Sequence, residues 1–171
     1  LLMAKSTTYS KGSWIVHHFY GVGQVKGIEK KMLDGAEVSY YKVQTRNSLY
    51  WIPVDTEDNS RLRPLSSPED IKKIARILRR KPNDMDPDHM QRKRVIRDVL
   101  SEGTLLDMAR LIRDLSARQV DKKLNPTEED ALKRFRDRLV REWSVCLEME
   151  MDEANQEFQA CLDKGITKAA A

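Results

Sequence analysis

Apolar residues alternate with polar ones over the first third of the chain, which is the spacing of half-buried strands. Five short strands are predicted, over residues 14–19, 23–32, 38–45, 49–54 and 61–63. In the first strand, Trp14, Val16 and Phe19 are expected on one buried face. Gly21 and Asp34-Gly35 supply turn signals between strands. Five short strands in about 50 residues favour a small SH3- or Tudor-like barrel.

After Pro64 the apolar spacing changes from 2 to 3.6 residues, and Ser67-Pro68-Glu69-Asp70 is a typical helix start. Helices are predicted over residues 68–80, 88–101 and 104–122, and a fourth begins at Asn125. Residues 144–162 either continue that helix or form a fifth. In the second helix, Val95, Ile96, Val99 and Leu100 are expected to turn inward.

These elements predict an α+β protein, with a small Tudor/SH3-like β-barrel followed by an all-α helical bundle. The predicted domains cover residues 9–65 and 66–163, and residues 164–171 are expected to form a disordered tail.

The composition predicts a soluble chain. Of its 171 residues 40% are apolar and 34% charged, and no apolar run approaches the roughly 20 residues of a membrane helix. Cys146 and Cys161 are too few for a disulfide framework and are expected as two buried apolar residues. A cytoplasmic protein with no membrane association is therefore predicted.

The net charge of +4 is unevenly distributed. Residues 66–100 contain 10 Lys/Arg against 6 Asp/Glu, whereas residues 101–171 contain 12 against 15. The basic residues on the first two helices are Lys72, Lys73, Arg76, Arg79, Arg80, Lys81, Arg92, Lys93, Arg94 and Arg97. Because acids bracket this set, phosphate contact with nucleic acid is one interpretation. Simple solvation of two helices is the other.

No catalytic or cofactor-binding pattern is present in the sequence. Gly21-Val22-Gly23 belongs to a hairpin and lacks the third glycine of a dinucleotide fingerprint. His17 and His18 are adjacent on a strand, so they point to opposite faces and cannot ligate one metal together. The prediction is a protein that is not an enzyme and that uses neither a metal nor a cofactor.

The strand from Leu49 to Val54 offers a second candidate surface. Pro53 cannot donate a ladder hydrogen bond and is most at home on an edge strand. An edge with Tyr50 and Trp51 is suited to pairing with a strand of another protein. Alternatively, the aromatic residues fill the barrel core, and the pattern leaves both readings open for Trp51.

Several of these segments together resemble the CarD family of bacterial transcription regulators, whose N-terminal module also occurs in the transcription-repair coupling factor. The similar segments are Trp14-Ile15-Val16-His17, Tyr20-Gly21-Val22-Gly23-Gln24-Val25, Tyr40-Tyr41-Lys42-Val43, Tyr50-Trp51-Ile52-Pro53-Val54, and the stretches 108–115 and 125–132. The resemblance extends from about residue 9 to residue 158.

The resemblance implies that the front module docks on the RNA polymerase β subunit. It also implies that the helical domain meets promoter DNA at the upstream edge of the bubble and modulates open-complex stability. By position, Lys31 and Trp51 correspond to polymerase contacts, and Trp51 stands where some members have Arg. The candidate polymerase-binding residues are therefore Lys31, Tyr50, Trp51, Ile52 and Pro53.

The chain departs from the family at the start of the second helix, where the family typically has a Trp that wedges into the minor groove. His89 occupies that position here, with Met90 beside it. Met can act as an apolar wedge and His can stack or donate into the groove. Alternatively, His89 is only an exposed residue of the first turn. Trp143 does not substitute for the wedge, since its helical spacing predicts a core position.

The leading hypothesis is a monomeric transcription regulator that contacts DNA largely independently of sequence. The alternative is a scaffold or dimerisation module that does not bind DNA.

Overall fold

A computed structural model of the protein describes residues 9–55 and 61–170. The chain divides into two compact units, Leu1–Leu65 and Ser66–Ala171. The division falls within the segment where the apolar spacing changes from 2 to 3.6 residues. Strands form the first unit and helices the second, so the predicted α+β class is confirmed.

The first unit is a five-stranded antiparallel sheet. Its strands are β1 (Trp14–His17), β2 (Gly21–Leu33), β3 (Ala36–Gln44), β4 (Leu49–Pro53) and β5 (Leu62–Pro64). They are ordered β4-β3-β2-β1-β5, so β4 lies at an edge. Asp34 and Gly35 join β2 to β3 with φ values of 49° and 80°, the left-handed conformation that tight hairpins require.

One face of the sheet carries the core of this unit. Its buried residues are Ile15, Val25, Tyr41, Val43, Tyr50, Ile52 and Leu62. The expectation that Trp14 and Phe19 are buried is wrong, since both are exposed. The alternation places Ile15 rather than Trp14 on the core face, and β1 ends at His17, which leaves Phe19 in the turn.

The second unit is a helical bundle of α1 (Pro68–Leu78), α2 (His89–Glu102), α3 (Leu105–Asp121), α4 (Pro126–Cys146) and α5 (Met151–Ala169). Ser67, Thr104 and Asn125 form reciprocal capping boxes at the starts of α1, α3 and α4, which explains why these starts were predictable. Trp143 is buried, as its spacing predicted. Val95 is 46% exposed, so its predicted inward position is wrong.

The last helix continues through residues 164–169, which the sequence analysis assigned to a disordered tail; Ala171 lies outside the described residues. Gly165 permits this because it has no Cβ, and a Cβ at this position would clash with the Leu78 carbonyl oxygen at 2.3 Å. One turn later, Lys168 Nζ donates to the Arg79 carbonyl at 2.7 Å. The absence of a side chain at Gly165 thus lets α5 pack directly on the end of α1.

The two cysteines differ in their surroundings: Cys161 is buried, whereas Cys146 is only partly buried and its Sγ donates to the Ser66 carbonyl at 3.0 Å. Burial, with the nearby charges of Glu142 and Asp70, raises the pKa of the Cys146 thiol.

We expect alkylation of Cys146 by iodoacetamide to have a higher pH midpoint in the folded protein than in urea, because only the thiolate reacts and a raised pKa shifts its formation to higher pH. Peptide mass spectrometry of samples quenched across a pH series measures this midpoint. Equal midpoints in the folded and unfolded protein would contradict it.

Candidate functional site

A cluster of charged and aromatic side chains lies on the outer face of β2, β3 and β4, opposite the core. It consists of Glu29, Lys31, Tyr40, Lys42 and Trp51, here called the outer-face cluster. Its members come from three neighbouring strands, and the antiparallel register pairs Glu29 with Tyr40 and Lys42 with Trp51. Trp51 remains 38% exposed in the middle of these polar groups.

Contacts from both sides hold the Trp51 indole in place. Lys31 Nζ lies 4.0 Å from the ring centroid, within the range of a cation–π interaction. Trp51 Nε1 donates to Glu29 Oε2 at 2.8 Å, and Lys42 Nζ donates to Glu29 Oε1 at 2.9 Å. The hydrogen bonds from Lys42 and Trp51 hold the pKa of Glu29 below its ordinary value. The indole is therefore both oriented and accessible.

The strand alternation separates the candidate polymerase-binding residues of β4 into two groups. Tyr50 and Ile52 are buried in the sheet core, so the side chains of these two candidates are not exposed to a partner. Trp51 and Pro53 belong to the outer face, and Pro53 lies opposite Tyr40 in the register. The Trp51 side chain therefore points away from the sheet core. It lies against Lys31, which is also a candidate polymerase-binding residue.

Most of the predicted basic residues of the helical unit are exposed. They are Lys72, Lys73 and Arg76 on α1, Arg79, Arg80 and Lys81 just beyond its end, and Lys93, Arg94 and Arg97 on α2. Lys72 pairs with Glu69 at 2.8 Å and Lys73 with Asp70 at 3.3 Å. Exposed ion pairs of this kind contribute little to stability, so a phosphate can compete with the carboxylates for these lysines.

The first turn of α2 presents His89 and Met90 to solvent. Asp88 caps this turn by accepting a hydrogen bond from the Met90 amide at 2.9 Å. Met90, which is 56% exposed, shares a helix face with Lys93, Arg94 and Arg97 through spacings of three, four and seven residues. An apolar tip thus lies at one end of a basic stripe.

Arg92 does not belong to this stripe, which corrects its assignment to the DNA-contacting set. It is 5% exposed, because it lies on the inner face of α2 one turn before Ile96. Its Nε pairs with Glu128 Oε1, and its Nη1 donates to the carbonyls of Asp86 and Pro87 at 2.7 Å each. A buried guanidinium with these partners cannot also bind a phosphate.

Glu128 is a residue that the sequence analysis missed. It is buried at the third position of α4, where its Oε2 accepts the Asn125 amide at 3.0 Å. Burial opposes ionisation, but the bonds from Arg92 and the Asn125 backbone and the charges of Arg92 and Arg118 outweigh it, so the pKa of Glu128 lies below its ordinary value. Asn125 and Glu128 have the three-residue spacing of a capping box, which could have indicated the local role of Glu128 but not its distant partner.

Within residues 9–55 and 61–170, no three His, Cys, Asp or Glu side chains are grouped in a way that would hold a metal ion. Over the same ranges, no helix has the length and apolar character needed to cross a membrane.

Two family models match the chain, one on each unit. The CarD-like/TRCF RID domain matches residues 9–66, and the CarD C-terminal domain matches residues 73–159. The chain belongs to the CarD family. The CarD assignment makes it a transcription regulator, and the RID match implies interaction with RNA polymerase. Its five-stranded sheet is accordingly Tudor-like.

This CarD-family chain is also similar to the Bacillus subtilis (strain 168) protein named "Putative transcription factor YdeB". The two are 26% identical over 136 residues, which cover 78% of this chain and 89% of that protein. The outer-face cluster lies in the RID match, and all of α2 lies in the CarD C-terminal match.

Proposed function

We propose that this protein binds the RNA polymerase β subunit through the outer-face cluster and contacts promoter DNA at the upstream edge of the bubble through the exposed basic residues, so that it modulates open-complex stability. The observation that carries the proposal is the exposed Trp51 indole, held between Lys31 and Glu29 on the module that matches the RID model. The protein acts as a monomer in the bacterial cytoplasm and catalyses no reaction.

The sheet edge supports the polymerase part of the proposal. Among the strands that the structure describes, β4 pairs with β3 alone, so the backbone groups of its other side can pair with a partner strand. An aromatic side chain held in one orientation loses little conformational entropy on binding. The edge therefore supplies backbone hydrogen bonds, and Trp51 with Lys31 supplies the side-chain anchor.

The stripe on α2 supports the DNA part. Lys93, Arg94 and Arg97 can neutralise phosphates, while Met90 offers an apolar group of the kind that inserts between base steps. Contacts of this type carry little sequence information, so the affinity for different promoters is set by the deformability of the DNA and by polymerase.

The lifetime of open complexes formed by bacterial RNA polymerase tests the proposal directly. We expect the protein to change this lifetime, and we expect His89→Ala to reduce the change and His89→Trp to increase it. Footprinting in the same reactions locates the protein. Absence of polymerase-dependent placement near the promoter would contradict the proposal, and a dimer by light scattering without DNA binding would favour a scaffold.

A prediction for the basic stripe concerns salt. Changing Lys93, Arg94 and Arg97 together to Gln should make the negative slope of log affinity against log salt shallower by about 3, since each phosphate contact contributes about −0.9. Fluorescence anisotropy with a duplex containing an unpaired segment measures the slope. A matched variant changes the exposed Lys122, Lys123 and Lys133 to Gln and loses the same charge. Equal slopes in the two variants would show that net charge alone matters.

A further inference from the structure

Among the five helices of the bundle, α2 has the smallest attachment to the core. Its buried residues are Arg92 and Ile96, whereas α1, α3, α4 and α5 each bury at least five residues. Val99 and Leu100 are only partly buried. A helix with so few buried apolar groups is held weakly by the hydrophobic effect, so polar contacts have a larger share in keeping it in place.

Arg92 supplies those polar contacts at the N-terminal end of α2. One guanidinium nitrogen pairs with Glu128 at the start of α4, and another donates to the carbonyls of Asp86 and Pro87 in the loop that leads into α2. The planar guanidinium can make these bonds at once, which a lysine ammonium on a flexible stem cannot reproduce. Arg92 therefore joins α2, its preceding loop and α4.

We propose that Arg92 is a positioning residue that fixes the first turn of α2 on α4, so that His89 and Met90 are held at a defined place for contact with DNA. That Arg92 fixes α2 is inferred from the contacts of Arg92 alone. That this positions His89 and Met90 for DNA rests on the function proposed above. His89 and Met90 are three and two residues before Arg92, on the same turn of helix, so a displacement of Arg92 moves both.

The chain offers two matched controls for this role. Arg94 is an exposed arginine on the same helix, so Arg94→Met removes the same charge without touching the anchor. Arg118 also faces Glu128, with Nε 3.8 Å from Oε1, but it belongs to α3. Arg118→Met therefore removes one positive charge beside Glu128 but keeps the bonds by which Arg92 holds the loop before α2.

Amide hydrogen exchange of the full chain tests the anchoring without DNA. Removing Arg92 leaves the buried Glu128 carboxylate with only the more distant Arg118, 3.8 Å away, as a charged partner. Loss of the nearer partner of a buried ion pair corresponds to about a hundredfold or more in an opening equilibrium. We expect Arg92→Met to speed exchange of the α2 amides by this factor while α3 and α5 stay protected. Glu128→Gln, which keeps the size and a capping acceptor, should have a smaller effect in the same helix. Arg92→Met exchange equal to that of Arg94→Met would overturn the proposal.

Photo-crosslinking tests the purpose of the anchor. A photoreactive benzoylphenylalanine replaces Met90, and the probe is a duplex with a central unpaired segment. We expect crosslinks at few nucleotides in the wild-type background and at many in Arg92→Met, whereas Arg94→Met should lower the yield without spreading the pattern. An unchanged pattern in Arg92→Met would overturn the positioning role. If the wild type gives no crosslink, the proposed DNA contact is wrong, and exchange alone decides whether Arg92 fixes α2.

Discussion

Replacing Trp51 by alanine is expected to weaken binding to the RNA polymerase β subunit by about 30-fold or more, the loss typical of a central aromatic anchor. The indole is the largest exposed apolar group of the outer-face cluster and is already oriented by Lys31 and Glu29. Truncation removes the contact area and also releases the two side chains that flank it. Surface plasmon resonance with an immobilised β-subunit lobe measures the effect.

Trp14→Ala is the matched control, since Trp14 is a 42% exposed tryptophan of the same unit outside the cluster. We expect it to leave the affinity within about twofold of wild type, as most surface residues outside a hot spot do. A loss in Trp14→Ala as large as in Trp51→Ala would place the contact elsewhere on the sheet. An unchanged affinity in Trp51→Ala would remove the outer-face cluster from the proposed function.

Gly165→Ala is expected to destabilise the helical unit by about 2 kcal/mol, although alanine is the better helix former by about 1 kcal/mol. The added Cβ would lie 2.3 Å from the Leu78 carbonyl oxygen and 2.8 Å from that of Arg80. Both atoms belong to the backbone at or just beyond the end of α1, so neither can give way as the tip of a flexible side chain would. Urea unfolding followed by far-UV circular dichroism measures the difference.

Ala160→Gly serves as the control, because residue 160 is an exposed position of the same helix. This substitution should lower the free energy of unfolding by about 1 kcal/mol through helix propensity alone. The two substitutions exchange the same residues in opposite directions, so propensity alone would make Gly165→Ala stabilising. A stabilised Gly165→Ala variant would show that α5 does not pack tightly on α1 and that its last turns are held loosely.

The elements of this protein were predictable because their signals are local. Capping boxes mark the starts of α1, α3 and α4, and Asp34-Gly35 marks the hairpin between β2 and β3. The edge position of β4 followed from Pro53, which cannot take part in a ladder on both sides. Each signal acts within a few residues, so no knowledge of the fold was needed.

The direction of individual side chains was less predictable. Alternation showed that Tyr50 and Trp51 lie on opposite faces of β4, but not which face is the core. Val95 sits at the margin of the apolar face of α2, and its exposure depends on how deeply that helix packs. Residues 164–169 form helix because Gly165 meets α1, which no local pattern predicts.

By itself, the sequence determined the α+β class, the strands and most helix boundaries, because periodicity, caps and turns are short-range properties of the chain. Only the tertiary structure decided the surroundings of Arg92 and Trp51. A basic residue is available for phosphate unless a partner buries it, and the partner of Arg92 is Glu128, 36 residues away. Likewise, Trp51 became an oriented surface group only when antiparallel pairing brought Lys31 and Glu29 beside it.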